Sequence, residues 1–85
     1  MHHFQNVPPI CAPADWTPRI DQLLSDIWHL LAPDQRSSFQ ITDIKEKRGG
    51  LRLYWYLQAD VTDELGDKID ALIDQASDEL QLQRP

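Results

Sequence analysis

The sequence predicts a single small α+β domain of order α-β-β-α, with both helices packed on one face of an antiparallel β-hairpin. Apolar residues recur at helical spacing on either side of a central segment, and that segment, Ser38 to Ala59, consists of two extended runs flanking Gly49-Gly50. The 85 residues leave room for one core only. A two-stranded sheet alone is marginal in water, so both helices must share its apolar face.

Residues 1–15 contain Pro8, Pro9 and Pro13. Each lacks an amide donor and pushes its predecessor toward extended backbone, so this stretch reads as an extended or irregular arm ahead of a domain spanning residues 16–82. Thr17-Pro18 is a helix start, with a hydroxyl able to accept from an orphan amide and a proline suited to the first helical position. The helix runs to about Leu31, and Pro33 stops it. Ile20, Leu23, Leu24, Ile27 and Leu31 form one stripe, with Trp16 placed to staple it and Trp28 at its rim as a partly buried residue.

Ser38–Lys47 and Leu51–Ala59 are the two strands, and Gly49-Gly50 supplies the positive φ angles of a tight turn. In the second strand Leu51, Leu53, Trp55 and Leu57 point one way and Arg52, Tyr54, Tyr56 and Gln58 the other. The first strand changes phase between Ile41 and Ile44, which a bulge near Thr42-Asp43 mends. Thr62 caps a last helix from Asp63 to about Leu80, whose apolar face is Leu65, Ile69, Leu72, Ile73, Ala76 and Leu80.

The run IKEKRGGLRLYWY, Ile44 to Tyr56, resembles the hallmark of a family of small uncharacterised proteins from bacteria and their phages, close to Ile-Lys-Glu-Lys-Phe-Gly-Gly-Leu-Arg-Phe-Tyr. The likeness extends to Trp16–Leu24 and Ile69–Ser77, about two thirds of the chain. Arg48 stands where phenylalanine is usual, and Leu53 replaces another. The resemblance implies a shared fold and no reaction. Many relatives carry a cysteine-containing, knuckle-like segment; these residues hold none, so no metal role is carried over.

Composition narrows the function classes. With 41% hydrophobic and 26% charged residues the chain is expected to fold. The lone Cys11, the lack of a long apolar run and the lack of a basic leader point to a reducing cytoplasm and no membrane. Fourteen acidic against eight basic residues, net −6, argue against general affinity for nucleic acid.

Two charged constellations stand out. Asp63, Asp67, Asp70, Asp74 and Asp78 recur at helical spacing and form one acidic ridge roughly 22 Å long. Only Lys68 interrupts the acidic sign from Asp60 to Glu79, whereas an ordinary solvated helix face mixes signs. Lys45, Lys47, Arg48 and Arg52, four cations less Glu46 for +3, lie beside Tyr54 and Tyr56 at the hairpin. Cations beside aromatics suit single-stranded nucleic acid or a protein interface, while at a hairpin tip they also deter edge-to-edge aggregation.

No Gly-rich phosphate loop, G-x-S-x-G, H-E-x-x-H or C-x-x-C occurs. His2-His3 with Cys11 offers no fixed metal geometry, and the calcium-loop pattern at Asp60–Asp67 fails because Leu65 stands at the required glycine. The expectation is no cofactor, no metal and no catalysis. The leading reading is a small acidic cytoplasmic accessory protein that binds a larger protein with a basic surface through the aspartate ridge, as an inhibitor mimicking nucleic acid of the anti-restriction or anti-CRISPR type. Two alternatives stand beside it: a nucleic-acid-contacting module using the hairpin, and a homodimer or other homo-oligomer joined by opposite charges or by strand edges.

Overall fold

The computed structural model describes residues 4, 7–58 and 62–81. It is a mixed α+β domain with the expected helices and hairpin and one further strand. In chain order the elements are β1 (Ile10–Cys11), a 3-10 turn (Ala14–Trp16), α1 (Thr17–Leu30), α2 (Pro33–Arg36), β2 (Phe39–Lys47), β3 (Gly50–Leu57) and α3 (Asp63–Gln81). The expected strand end at Ala59 and the start of the calcium-like pattern at Asp60 lie outside the described residues, as do His2 and His3.

The sheet is three-stranded in the order β1-β2-β3, with β1 parallel and β3 antiparallel to β2. The third strand corrects the two-stranded expectation. Ile10 and Cys11 pair with Ile44 and Lys45, and Phe4, Val7, Ile10 and Ala12 pack against the core. The proline-bearing stretch is thus held down by apolar residues two or three positions apart, a signal that its prolines obscured.

Pro13 nucleates the 3-10 turn, closed by the Trp16 N–H donating to the Pro13 carbonyl at 3.0 Å. That turn runs straight into α1, so Trp16 already has helical backbone and Thr17 is the first helical residue rather than a hydroxyl cap. Trp16 itself is buried, as a staple should be. Past the C-terminus of α1, α2 folds back: Arg36 Nε donates to the Trp28 carbonyl at 2.9 Å, and its guanidinium lies 4.8 Å from the centroid of the half-buried Trp28 ring. A cation there satisfies an orphan carbonyl at the negative end of the helix.

The bulge falls between Ile41 and Asp43, as the phase change required. It keeps Phe39, Ile41 and Ile44 of β2 on the buried face with Leu51, Leu53 and Leu57 of β3. The turn is placed differently from the Gly49-Gly50 expectation. Positive φ occurs at Arg48 (55°) and Gly49 (83°), and Gly50 is a strand residue opposite Lys47. Register explains this: fully buried Ile44 pairs with Leu53, and the two-residue turn consistent with that pairing is Arg48-Gly49. Glu46 fixes it by accepting the Gly49 N–H at 2.6 Å.

One cluster of buried side chains joins Ile20, Leu23, Leu24 and Ile27 of α1, the strand residues above, and Ile69, Ile73, Ala76 and Leu80 of α3. The opposite face of the sheet carries exposed Gln40, Thr42, Arg52, Tyr54 and Tyr56, so both long helices lie on one side. At about 25 cal/mol per Å2 of apolar surface, each fully buried Leu or Ile contributes about 1.5–3 kcal/mol.

Candidate partner-binding surfaces

Thr62 caps α3, its hydroxyl accepting the Leu65 N–H at 3.1 Å. From there the helix runs antiparallel along β3. Gly66 and Asp70 lie near Trp55, and a turn and more later Ser77 meets Leu51. This placement sets Asp70 and Asp74 on the β3 side of the helix.

Asp63, Asp67, Asp70, Asp74 and Asp78 are all exposed. Two cations beside α3 are engaged by glutamates: Lys68 pairs with Glu64 at 3.2 Å, and Arg19 Nε of α1 donates to Glu79 at 2.9 Å. Among the described residues no ion pair involves a ridge aspartate. Asp70 has one polar tie, accepting the Trp55 indole N–H at 3.1 Å. That tie was not legible from spacing alone; the signal available was a tryptophan among leucines on the strand face nearest an acidic helix.

The hairpin residues separate into two groups. Lys45, Arg52, Tyr54 and Tyr56 share the open face of the sheet, Lys45 opposite Arg52 and Asp43 opposite Tyr54. Lys45 is tied to Asp43 at 3.3 Å and lies 5.4 Å from the Tyr54 ring centroid. Tyr54 and Tyr56 are 45% and 54% exposed, the large apolar side chains most open to solvent among the described residues. Lys47 and Arg48 sit apart at the exposed tip. The acidic neighbour that tempers the open face is therefore Asp43, while Glu46 is turned to the tip as a clamp.

β3 is an edge strand. Between its free edge and α3 lies a cleft of about 440 Å3 lined by Leu51 to Trp55 and by Asp70, Ile73 and Asp74. The ridge and the cationic hairpin, separate in the sequence, thus border one cleft: Asp70 and Asp74 on its helix side, Arg52 and Tyr54 on its sheet side. Among the described residues no group of three or more His, Cys, Asp or Glu could hold a metal ion, Cys11 is exposed on the far strand, and no helix is long and apolar enough to cross a membrane.

No family model, curated protein or solved structure matches the chain. The hairpin resemblance accordingly assigns no residue a role.

Proposed function

We propose that the chain is a protein-binding module, an accessory protein of the cytoplasm rather than an enzyme, whose aspartate ridge docks on the basic surface of a larger partner. The observation that supports this most is the isolation of the ridge: five exposed aspartates on one helix, with the neighbouring Lys68 and Arg19 held by Glu64 and Glu79. Five charges over roughly 22 Å place one about every 5.5 Å. A single nucleic-acid strand carries one per roughly 3.4 Å of axis, so the ridge comes within a factor of two of the charge density that a basic groove is built to receive. An inhibitor occupying such a groove, of the anti-restriction or anti-CRISPR kind, is the specific form of this reading.

The test is capture of partners by the wild-type protein and by the triple variant Asp67→Lys, Asp70→Lys, Asp74→Lys. The reading expects a partner held by the wild type, lost by the triple variant and displaced by a duplex oligonucleotide. Retention by the triple variant refutes the ridge as the interface, and indifference to the oligonucleotide refutes mimicry.

A second reading has its own observation. Tyr54 and Tyr56 are exposed beside Lys45 and Arg52 on an open sheet face, a geometry suited to stacking bases over cations. Binding of a fluorescent single-stranded oligonucleotide that weakens as salt rises supports it, and no binding at low salt removes it.

A further inference from the structure

We infer that the free edge of β3 is a docking site for an extended basic segment of the partner, added to the sheet as a fourth strand with its cationic side chains on Asp70 and Asp74. This deepens the proposed function and rests on it, naming the shape and chemistry of what the ridge engages.

The backbone of β3 shows which groups the edge offers. Toward β2, Tyr54 presents its carbonyl to Thr42 and Gln58 its N–H to Ser38. Leu51 faces the other way, its N–H donating to Ser77 Oγ at 3.0 Å and its carbonyl accepting Arg52 Nη1 at 3.2 Å. Strand alternation then directs the main-chain groups of Leu53 and Trp55 outward as well. Leu51 is closed by its two side-chain partners. Outside the β2–β3 ladder no hydrogen bond among the described residues engages the N–H or C=O of Leu53 or Trp55, and both residues line the cleft. A row of unpaired donors and acceptors is what strand addition uses for affinity, with alternate side-chain positions supplying specificity.

The helix side of the cleft matches an added strand in spacing and charge. Because α3 runs antiparallel to β3, a strand laid on that edge runs along α3. Asp70 and Asp74 are about 6 Å apart along the helix axis, and alternate side chains of a strand are about 6.6 Å apart, so two basic residues separated by one fall in step with the two carboxylates. The side chain between them projects to the open face, beside Arg52 and Tyr54.

Charge also decides between a partner segment and a second copy. Pairing β3 with the β3 of another copy would bring Asp70 and Asp74 toward their own counterparts and set like charges together in a partly dehydrated cleft, which disfavours that arrangement. A basic strand brings opposite charge to both carboxylates, and the cation lining the cleft, Arg52, is held on the Leu51 carbonyl.

The test uses a peptide of four lysines alternating with four threonines, acetylated and amidated, and two N-methylated derivatives of it that are isomers of each other. One isomer is N-methylated on the lysines, the other on the threonines. All three carry the same charge, but in a given strand direction only one set of amides faces β3, so strand addition requires the isomers to differ in affinity by at least about tenfold. The wild-type protein bound to the parent peptide is expected to show new hydrogen-exchange protection at the Leu53 and Trp55 amides. Asp70→Asn/Asp74→Asn, which leaves an acceptor for the Trp55 indole, is expected to weaken the parent peptide about tenfold. Equal affinity of the two isomers overturns strand addition. If that equal binding is still lost in the double variant, the ridge survives as a charge-only surface and the proposed function stands. Protection of Leu53 and Trp55 without peptide, in a protein that sediments as a dimer, also overturns the inference and assigns the edge to a second copy.

Discussion

Asp74 is the position at which the cost of the ridge can be measured. It has Asp70 one turn before it and Asp78 one turn after, all three exposed on α3. A like-charged i,i+4 pair destabilises a helix by about 0.2–0.5 kcal/mol, so Asp74→Asn, which removes two such pairs, is expected to stabilise the domain by about 0.4–1 kcal/mol. Asp74→Lys converts both repulsions to attractions and adds a better helix former, for about 1.2–2.4 kcal/mol in all. For a domain of this size that raises the melting temperature by about 5–20 °C. Urea and thermal unfolding followed by circular dichroism, at low salt and at about 1 M NaCl, separate the causes, because a screening length of about 3 Å removes the electrostatic part and leaves the propensity gain. The reasoning fails if both variants match the parent at low salt, or if the lysine gain is the same at both salt concentrations.

Three further outcomes follow from particular contacts. Arg48→Gly relieves the left-handed backbone of the turn and is expected to raise the urea unfolding free energy by about 0.5–1 kcal/mol; a loss would mean that the Arg48 side chain makes a contact that outweighs the strain. Ser77→Ala leaves the buried Leu51 N–H without its acceptor and is expected to cost about 1–3 kcal/mol in the same assay, with faster amide exchange at Leu51. Trp55→Phe keeps the ring stacked on Phe39, 5.7 Å between centroids, but deletes the donor to Asp70; it is expected to cost about 0.5–1.5 kcal/mol, and Asp70→Ala in that background, with no donor left to lose, should bring no further loss and a gain from relieved repulsion.

Most of the architecture was legible because it rests on periodicity, which is local. The stripe of Ile20, Leu23, Leu24 and Ile27, the alternation from Leu51 to Leu57 and the phase slip at Thr42-Asp43 each state in sequence what they do in space. What was not legible depends on tertiary choices. The pairing of Ile10-Cys11 is only two residues long and arises because Phe4, Val7 and Ala12 dock on a core built by residues far along the chain. The turn at Arg48-Gly49 is set by Ile44 opposite Leu53, and two consecutive glycines permit either phase. The ridge residues were found by spacing, but their relation to a cleft was not. It requires knowing that β3 is an edge strand and that α3 lies along it, and neither follows from the sequence of either element.

The ridge and the fold use different atoms of α3. The helix is held by Ile69, Ile73, Ala76 and Leu80 in the core, and by three polar ties on its flanks: Ser77 to Leu51, Asp70 to Trp55, and Glu79 to Arg19. Asp63, Asp67, Asp74 and Asp78 take part in none of them. A domain this small has about 5–15 kcal/mol of stability in total, and mutual repulsion along the ridge takes roughly 1–2 kcal/mol of it, offset among the described hydrogen bonds by the Asp70–Trp55 tie alone. A return must come from outside the chain if the ridge is to have a use. Asp67, Asp74 and Asp78 lie beyond the first residues of α3, where the helix dipole favours the acid at Asp63, and are insulated from the core; reversing their charge leaves the native state intact or more stable, so a loss of binding in such variants reports on recognition and not on folding.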